Sequence, residues 1–265
     1  RENEINSFIP EEYWTITADY GNSFLASLSK YKGKDIRINT SVDAEEIEKE
    51  LKAGKFIVES VKTGKRKPKP YAPFTTSSMQ QDASIKLNFQ TKKTMQVAQQ
   101  LYEGIDVKGI GTRGLITYLR TDSVRVSSVA KDAAASFITE KFGREYSADN
   151  SFSNKNKDIQ DAHEAIRPTD IALEPESIRD SLTADQFKLY NLIWNRYVAS
   201  QMSAAEFDTV SVSIDNSGYE FRASGSRLVF DGWRRVYPIS NEKDSFVPEV
   251  NEGEELKCQE IIKEQ

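Results

Sequence analysis

The sequence is poor in the residues that most often build metal and redox chemistry. Its 265 residues hold one cysteine, Cys258, and one histidine, His163. A lone cysteine excludes an internal disulfide framework and every Cys-rich zinc site. A lone histidine excludes His-cluster metal sites and His-pair chemistry. No Asp-x-Asp pair is present for a divalent cation, and no Gly-rich loop runs into Lys-Ser or Lys-Thr to cradle a phosphate chain. No nucleophile-elbow pattern accompanies His163. No apolar run approaches the ~20 residues of a membrane span, and no charged-then-apolar leader opens the chain. The chain starts at Arg1 rather than Met, which reads as a piece of a longer protein.

Charge is plentiful and unevenly spread. The chain carries 36 Lys+Arg against 41 Asp+Glu, net −5. From Lys62 to Arg125, however, twelve basic side chains face four acids, net +8, which leaves −13 for the remainder. A basic block inside an acidic chain is the pattern of a polyanion site. For Lys62–Pro70 alone the favoured reading is a solvated connector, since Pro68 and Pro70 mark extended chain.

The periodicity predicts a β-rich, helical, β-rich order. Tyr13–Tyr20 and Ser23–Tyr31 read as strands around Gly21-Asn22. Thr40 or Ser41 caps a helix with Ala44, Ile47 and Leu51 inward, ended by Gly54, and Lys55–Val61 reads as a third strand. Thr75–Ser78 offers caps for a helix to Leu87. Thr91–Glu103 is a helix with Met95, Ala98 and Tyr102 on one face, followed by a glycine-rich loop, Gly104–Gly114. Ser127 or Ser128 caps a helix with Val129, Ala133, Phe137 and Ile138 inward. Ser147–Gln160 is polar. Thr183 and Gln186 form a capping box for a helix to about Met202, burying Phe187, Ile193, Trp194 and Tyr197. Glu206–Ile214, Tyr219–Ser224 and Arg227–Tyr237 read as strands. The fold expected is α+β: a discontinuous β module, residues 1–70 plus 206–265, with a helical module, residues 71–205, inserted.

Two short segments concentrate donors, cations and nucleophiles: Gly114–Ser123, and residues 160–169 with His163, Arg167 and Thr169. In an extended segment Tyr118 and Arg120 share a face. A phenol, with a pKa near 10, attacks a phosphodiester only if its phenolate is stabilised; a guanidinium on the same face can do that, and can neutralise charge building on phosphorus. The competing reading is that Tyr118 simply packs, the commoner fate of a tyrosine in an apolar run. His163 and Arg167 can contact phosphate; His163 can equally cap a helix or meet Glu164. Pro168 keeps Arg167 extended.

Gly114-Leu-Ile-Thr-Tyr-Leu-Arg-Thr-Asp-Ser123 resembles the active-site tyrosine motif of type IA DNA topoisomerases, and Asp161–Thr169 resembles the family's second signature. Pro73–Gln80, Thr94–Glu103 and Phe230-Asp-Gly-Trp233 fit the same family in the same order. Leu119 after the tyrosine, with Arg167, points to its bacterial topoisomerase I branch. The resemblance implies the enzyme's arch: a β hinge module and a helical, helix-turn-helix-like gate domain. It implies ATP-independent isomerase chemistry, in which Tyr118 attacks single-stranded DNA to give a 5′-phosphotyrosine bond and Arg120 stabilises the reaction. Strand passage and religation then relax negative supercoils. Thr117, Asp122, Gln99, Glu103, Arg113, His163 and Arg167 align with polar positions around the DNA. Mg²⁺ is implied for the intact enzyme through an upstream Toprim domain, not for this stretch, which is expected to be inactive alone. DNA and the remaining domains of the polypeptide are the implied partners, with no membrane, and the implied location is the cytoplasm, at the nucleoid. The alternative is a single-stranded nucleic-acid-binding module in which Tyr118 stacks on a base.

Overall fold

The structure is a computed structural model describing residues 1–7, 11–22, 24–153, 163–239 and 245–265. In chain order the elements are α1 (Glu2–Asn6), β1 (Thr15–Asp19), β2 (Leu25–Tyr31), β3 (Lys34–Asp35), α2 (Ser41–Ala53) and β4 (Phe56–Arg66). Then come α3 (Thr76–Leu87), α4 (Thr91–Glu103), β5 (Ile105–Val107), β6 (Gly111–Arg113), α5 (Ser128–Phe142) and α6 (Ala184–Ser200). The chain closes with β7 (Glu206–Asn216), β8 (Tyr219–Phe230), β9 (Glu255–Leu256) and β10 (Glu260–Glu264). Two compact units result, giving the expected α+β class. One comprises Arg1–Arg66, Phe207–Val229 and Glu242–Gln265; the other comprises Lys67–Glu206 and Phe230–Asn241.

The first unit is an antiparallel sheet in the order β10-β1-β2-β8-β7-β4-β9, with β3 beside β2. Its strands alternate. Ile16, Ala18, Ala26, Val58, Val212, Ile214, Phe221 and Ala223 turn inward and close a core with Ala44, Ile47 and Leu51 of α2. Thr40 caps α2 by accepting from the Asp43 N–H at 3.1 Å. The β7–β8 hairpin turns on Ser217 and Gly218, both at positive φ, the backbone a two-residue hairpin demands. Gly54 ends α2 for reasons of space: a Cβ there would sit 1.9 Å from the Asn216 Oδ1. Asn216 is fully buried and donates to the Leu51 carbonyl at 2.9 Å, tying the hairpin end to the helix end.

Two readings of this sheet are corrected. Lys62–Arg66 is not a connector: it continues β4 and pairs with β7 from Lys62↔Ser211 to Arg66↔Phe207. Polar side chains on both faces hid its period of two. Arg227–Tyr237 is not one strand. β8 ends at Phe230, and Gly232–Arg235 forms a helical turn, because Gly232 lies against the Ser203 and Ala204 carbonyls, where a Cβ would be 2.5 and 2.6 Å away. Trp233, buried behind it, donates to the Pro68 carbonyl at 2.9 Å, so this stretch clusters with the helical unit.

In the helical unit, Thr75 with Ser78 and Thr183 with Gln186 form reciprocal capping boxes for α3 and α6. α6 buries Tyr190, Ile193, Trp194 and Tyr197, each ring polar atom finding a carbonyl: Tyr190 to Leu173, Trp194 to Ile171, Tyr197 to Ala130. Phe187 is half-buried under the Arg179 guanidinium. α4 has the expected span but a different inner face, Thr94, Val97, Ala98 and Leu101; Met95 is half-buried and Tyr102 exposed. α5 buries Ala134 and Ile138, whereas Val129 and Ala133 face solvent. The glycine-rich loop is a small hairpin, with Ile105–Val107 paired to Gly111–Arg113. Positive φ at Gly109 and Gly111 allows its tight return. Of the polar stretch 147–160, residues 154–160 lie outside the described residues, as do Asp161 and its neighbour at 162. Among the described residues no helix is long and apolar enough to cross a membrane.

Candidate active site

Gly114–Ser123 is not one extended segment of the kind that would put Tyr118 and Arg120 on a common face. It is a bent segment, pinned on both sides by backbone bonds, in which Leu115, Ile116, Leu119, Thr121 and Ser123 are buried. The Leu115 N–H donates to the Leu101 carbonyl of α4 at 2.7 Å. Gly114 passes so close to α4 that a Cβ would lie 2.6 Å from the Tyr102 carbonyl oxygen. On the other side, Thr169 donates through its N–H to Leu115 and through its hydroxyl to Gly114. Thr76, in the first turn of α3, bonds both the Leu119 carbonyl (2.7 Å) and the Thr121 N–H (2.9 Å) through one hydroxyl.

With its neighbours anchored inward, Tyr118 is left outward and 39% exposed. Its ring lies between two others: the Tyr102 ring edge-on at 5.6 Å and the His163 imidazole tilted by 36° at 5.2 Å. Among the described residues its hydroxyl makes no hydrogen bond. Arg120 is also exposed, with no hydrogen bond or ion pair to its guanidinium among the described residues, and no contact joins it to Tyr118. Among the described residues, a phenol oxygen without a partner and a guanidinium without a counter-ion thus sit two residues apart on a segment held by backbone hydrogen bonds.

The other sequence-selected residues divide into two groups. Thr117 and Arg167 are taken up by bracing. The Thr117 hydroxyl donates to the Ala165 carbonyl (2.7 Å) and accepts from the Arg167 N–H (3.0 Å), and its own N–H bonds the Arg167 carbonyl (2.9 Å). The Arg167 guanidinium does not stand open for phosphate. Its Nε and Nη2 donate to Glu164 at 2.8 and 2.5 Å, and its Nη1 to the Pro168 carbonyl. Glu164, in turn, accepts from the Ser127 N–H at the start of α5 at 2.9 Å. Burial pushes the Glu164 carboxyl up, but hydrogen bonds from Ser127 and Arg167, and the guanidinium's charge, outweigh it and hold the group below the ordinary carboxylate range. His163 directly precedes this clamp. Asp122 and Arg113 are exposed on the surface, Arg113 on β6, while Gln99 donates to Glu103 at 2.7 Å one turn along α4.

The sequence pattern of the DNA topoisomerase family matches residues 1–265. The chain belongs to the type IA DNA topoisomerases. Full-length topoisomerase I from Thermotoga maritima is similar over all of this chain, with 36% identity and a TM-score of 0.82. The match takes in 42% of the Thermotoga chain, so the sequence spans less than half the length of that relative.

Within this topoisomerase region the donor set does not fit a Mg²⁺ site. Among the described residues no three His, Cys, Asp or Glu side chains gather to hold a metal ion, and Glu103 and Glu164 already accept from Gln99 and Arg167. Two residues of the site escaped sequence reading. Tyr102 reads as sharing one helix face with Met95 and Ala98, yet it is exposed and edges Tyr118. Glu164 was visible only as a possible neighbour of His163, yet it ties Arg167 to α5.

Proposed function

We propose that this chain carries the nucleophile of an ATP-independent type IA DNA topoisomerase that relaxes negative supercoils, with bacterial DNA in the cytoplasm as its target. The observation that carries the reading is the Tyr118 hydroxyl, outward on a pinned segment and without a hydrogen-bond partner among the described residues, with Arg120 two residues on and likewise without an ion pair among them.

The Tyr118 oxygen attacks a backbone phosphorus of a single strand. A Tyr–O–P bond forms, the P–O3′ bond breaks, the phenol proton departs and the leaving 3′ oxygen takes up a proton. One phosphodiester replaces another, so religation needs no nucleotide cofactor. Arg120 holds the non-bridging oxygens and offsets the charge that builds on phosphorus. His163, against the tyrosine ring, contacts the phosphate or nucleotide. Asp122, Arg113, Gln99 and Glu103 line the approach of the strand, and Thr117 and Arg167 act by fixing the Tyr118 segment. Strand passage, and the Mg²⁺ that the family's Toprim domain supplies, belong to the rest of the polypeptide, and the 265-residue chain alone does not relax plasmid DNA.

The test uses the intact protein and a single-stranded oligonucleotide labelled at either end, quenched with denaturant. Label at the 3′ end stays with the protein and label at the 5′ end leaves on a fragment with a free 3′-hydroxyl. Tyr118→Phe abolishes the adduct. An adduct that survives this substitution overturns the reading. A second reading, strand binding by stacking without cleavage, is favoured by the exposed rings of Tyr102, Tyr118 and His163; Tyr118→Phe separates the two, because stacking outlives the hydroxyl.

A further inference from the structure

Arg120 is exposed, and among the described residues its guanidinium has no hydrogen bond or ion pair. Where it points therefore depends on its own backbone. Peptide units are planar, so the direction of a side chain is set by two dihedrals, one on each side of its Cα. The Leu119 carbonyl belongs to the peptide plane before the Arg120 Cα, and the Thr121 N–H to the plane after it. Both groups meet one atom. The Thr76 hydroxyl donates to the Leu119 carbonyl at 2.7 Å and accepts from the Thr121 N–H at 2.9 Å. A hydroxyl has one proton and two lone pairs, so both bonds form at once. The Thr121 carbonyl, at 3.2 Å, is the more distant acceptor for that proton, and it takes the Thr76 N–H at 2.9 Å instead.

Thr76 is itself held in place. It opens α3 directly after Thr75, the N-cap that exchanges bonds with Ser78. Two residues back, Phe74 is buried, and its carbonyl accepts from the Ile166 N–H at 2.8 Å. Leu119 and Thr121 are 1% and 6% exposed, so water has little access to the groups that Thr76 holds. Valine in place of Thr76 keeps the branched shape but leaves the Leu119 carbonyl and the Thr121 N–H without this partner. Serine keeps the hydroxyl. A hydroxyl that only satisfied two buried backbone groups would lower stability, and its loss would cost the same rate whether or not Arg120 was present.

We infer that Thr76 is the positioning residue for Arg120: its hydroxyl locks the peptide planes on both sides of that residue and so aims the guanidinium. The inference rests on the proposed role of Arg120 at the phosphate that Tyr118 attacks, and adds the side chain that holds it there.

The test is a double-mutant cycle on the intact protein, read as single-turnover formation of the adduct on an end-labelled single strand. Affinity for the uncleaved strand is measured alongside, in a Tyr118→Phe background. Thr76→Val slows adduct formation about 10–10²-fold, the cost of a misplaced catalytic group, while affinity stays close to the parent's, the mark of an interaction made in the transition state alone. Thr76→Ser restores most of the rate. On an Arg120→Ala background Thr76→Val costs almost nothing further, because a residue that acts through Arg120 has nothing left to position. Thr76→Ala, a smaller change that also removes the hydroxyl, carries the test if the valine variant does not fold, and every assay runs well below the unfolding midpoint of the weakest variant. A parental rate without the hydroxyl overturns the inference, and so does a loss as large without Arg120 as with it. Failure of the proposed function reads differently: the adduct then survives Tyr118→Phe.

Discussion

Replacing Glu164 by alanine removes one carboxylate that accepts three N–H groups: Ser127 at 2.9 Å, and Arg167 Nε and Nη2 at 2.8 and 2.5 Å. An exposed ion pair would be worth about 0–1 kcal/mol. Here the Glu164 and Arg167 side chains are only 19% and 14% exposed, so water does not replace what is lost, and hydrogen bonds to charged groups net about 1.5–3 kcal/mol. The three bonds share one carboxylate and are not additive. About 2–3 kcal/mol is the expected cost, and Arg167 is left with the Pro168 carbonyl. For a unit of this size that lowers the unfolding midpoint by about 4–12 °C, measured by calorimetry on the 265-residue chain at pH 7. The sign of the pH dependence follows from the depressed carboxyl. Its unfolded value is about 4.3, so the stabilisation is complete above that pH and is lost as pH falls through the lower folded value. The gap between wild type and Glu164→Ala therefore closes in acid, below about pH 4. Glu164→Gln keeps one acceptor without the charge and falls between the two. Equal midpoints at pH 7, or a gap that widens in acid, refute the clamp.

Other substitutions probe the same framework. Gly114→Ala drives a Cβ to 2.6 Å from the Tyr102 carbonyl; it costs about 1–3 kcal/mol in a denaturant titration and reduces adduct yield in the intact protein, because the Tyr118 segment must shift. Asn216→Ala leaves the buried Leu51 carbonyl without its side-chain donor and lowers the stability of the β unit by about 1–3 kcal/mol, read from urea unfolding. Arg120→Ala slows adduct formation by roughly 10²–10³-fold in single-turnover assays, while oligonucleotide affinity changes far less; equal losses in both would reduce Arg120 to a binding contact.

Much of the fold was legible because its signals are local. Thr40, Thr75 and the Thr183–Gln186 pair sit at helix starts where their oxygens reach N–H groups three residues on, and each cap forms. Gly21 and Asn22, read as the turn between two strands, take the positive φ that such a turn requires. Where the reading failed, side-chain type misled about position. Thr94 is fully buried because its hydroxyl bonds the Gln90 carbonyl one turn back, so the inner face of α4 looked polar where it is not. Tyr102, apolar by composition, faces out with its ring edge on Tyr118. Lys62–Arg66 joins the sheet through backbone pairing with β7, which long polar side chains do not advertise.

The candidate site was legible as a list of residues but not as a geometry. Tyr118 meets Tyr102, from α4, and His163, from a segment 45 positions downstream, and no period links the three. Arg167 offered the same guanidinium to a phosphate or to Glu164, and only the folded chain shows the carboxylate engaged. Burial of the adjacent Leu115 and Ile116 and then of Leu119, a spacing without the period of two, is the feature that turns Tyr118 outward. A straight strand would have put Tyr118 and Ile116 on one face.

The most direct test of the account is to map the covalent link. The intact protein is trapped on a single-stranded oligonucleotide by denaturant, digested with nuclease and trypsin, and sequenced by mass spectrometry. Cleavage after Arg113 and Arg120 releases Gly114–Arg120, and the account predicts that this peptide carries a nucleotide 5′-phosphate on the Tyr118 oxygen. A nucleotide found on any other residue, or trapped protein whose Gly114–Arg120 peptide is unmodified, contradicts it.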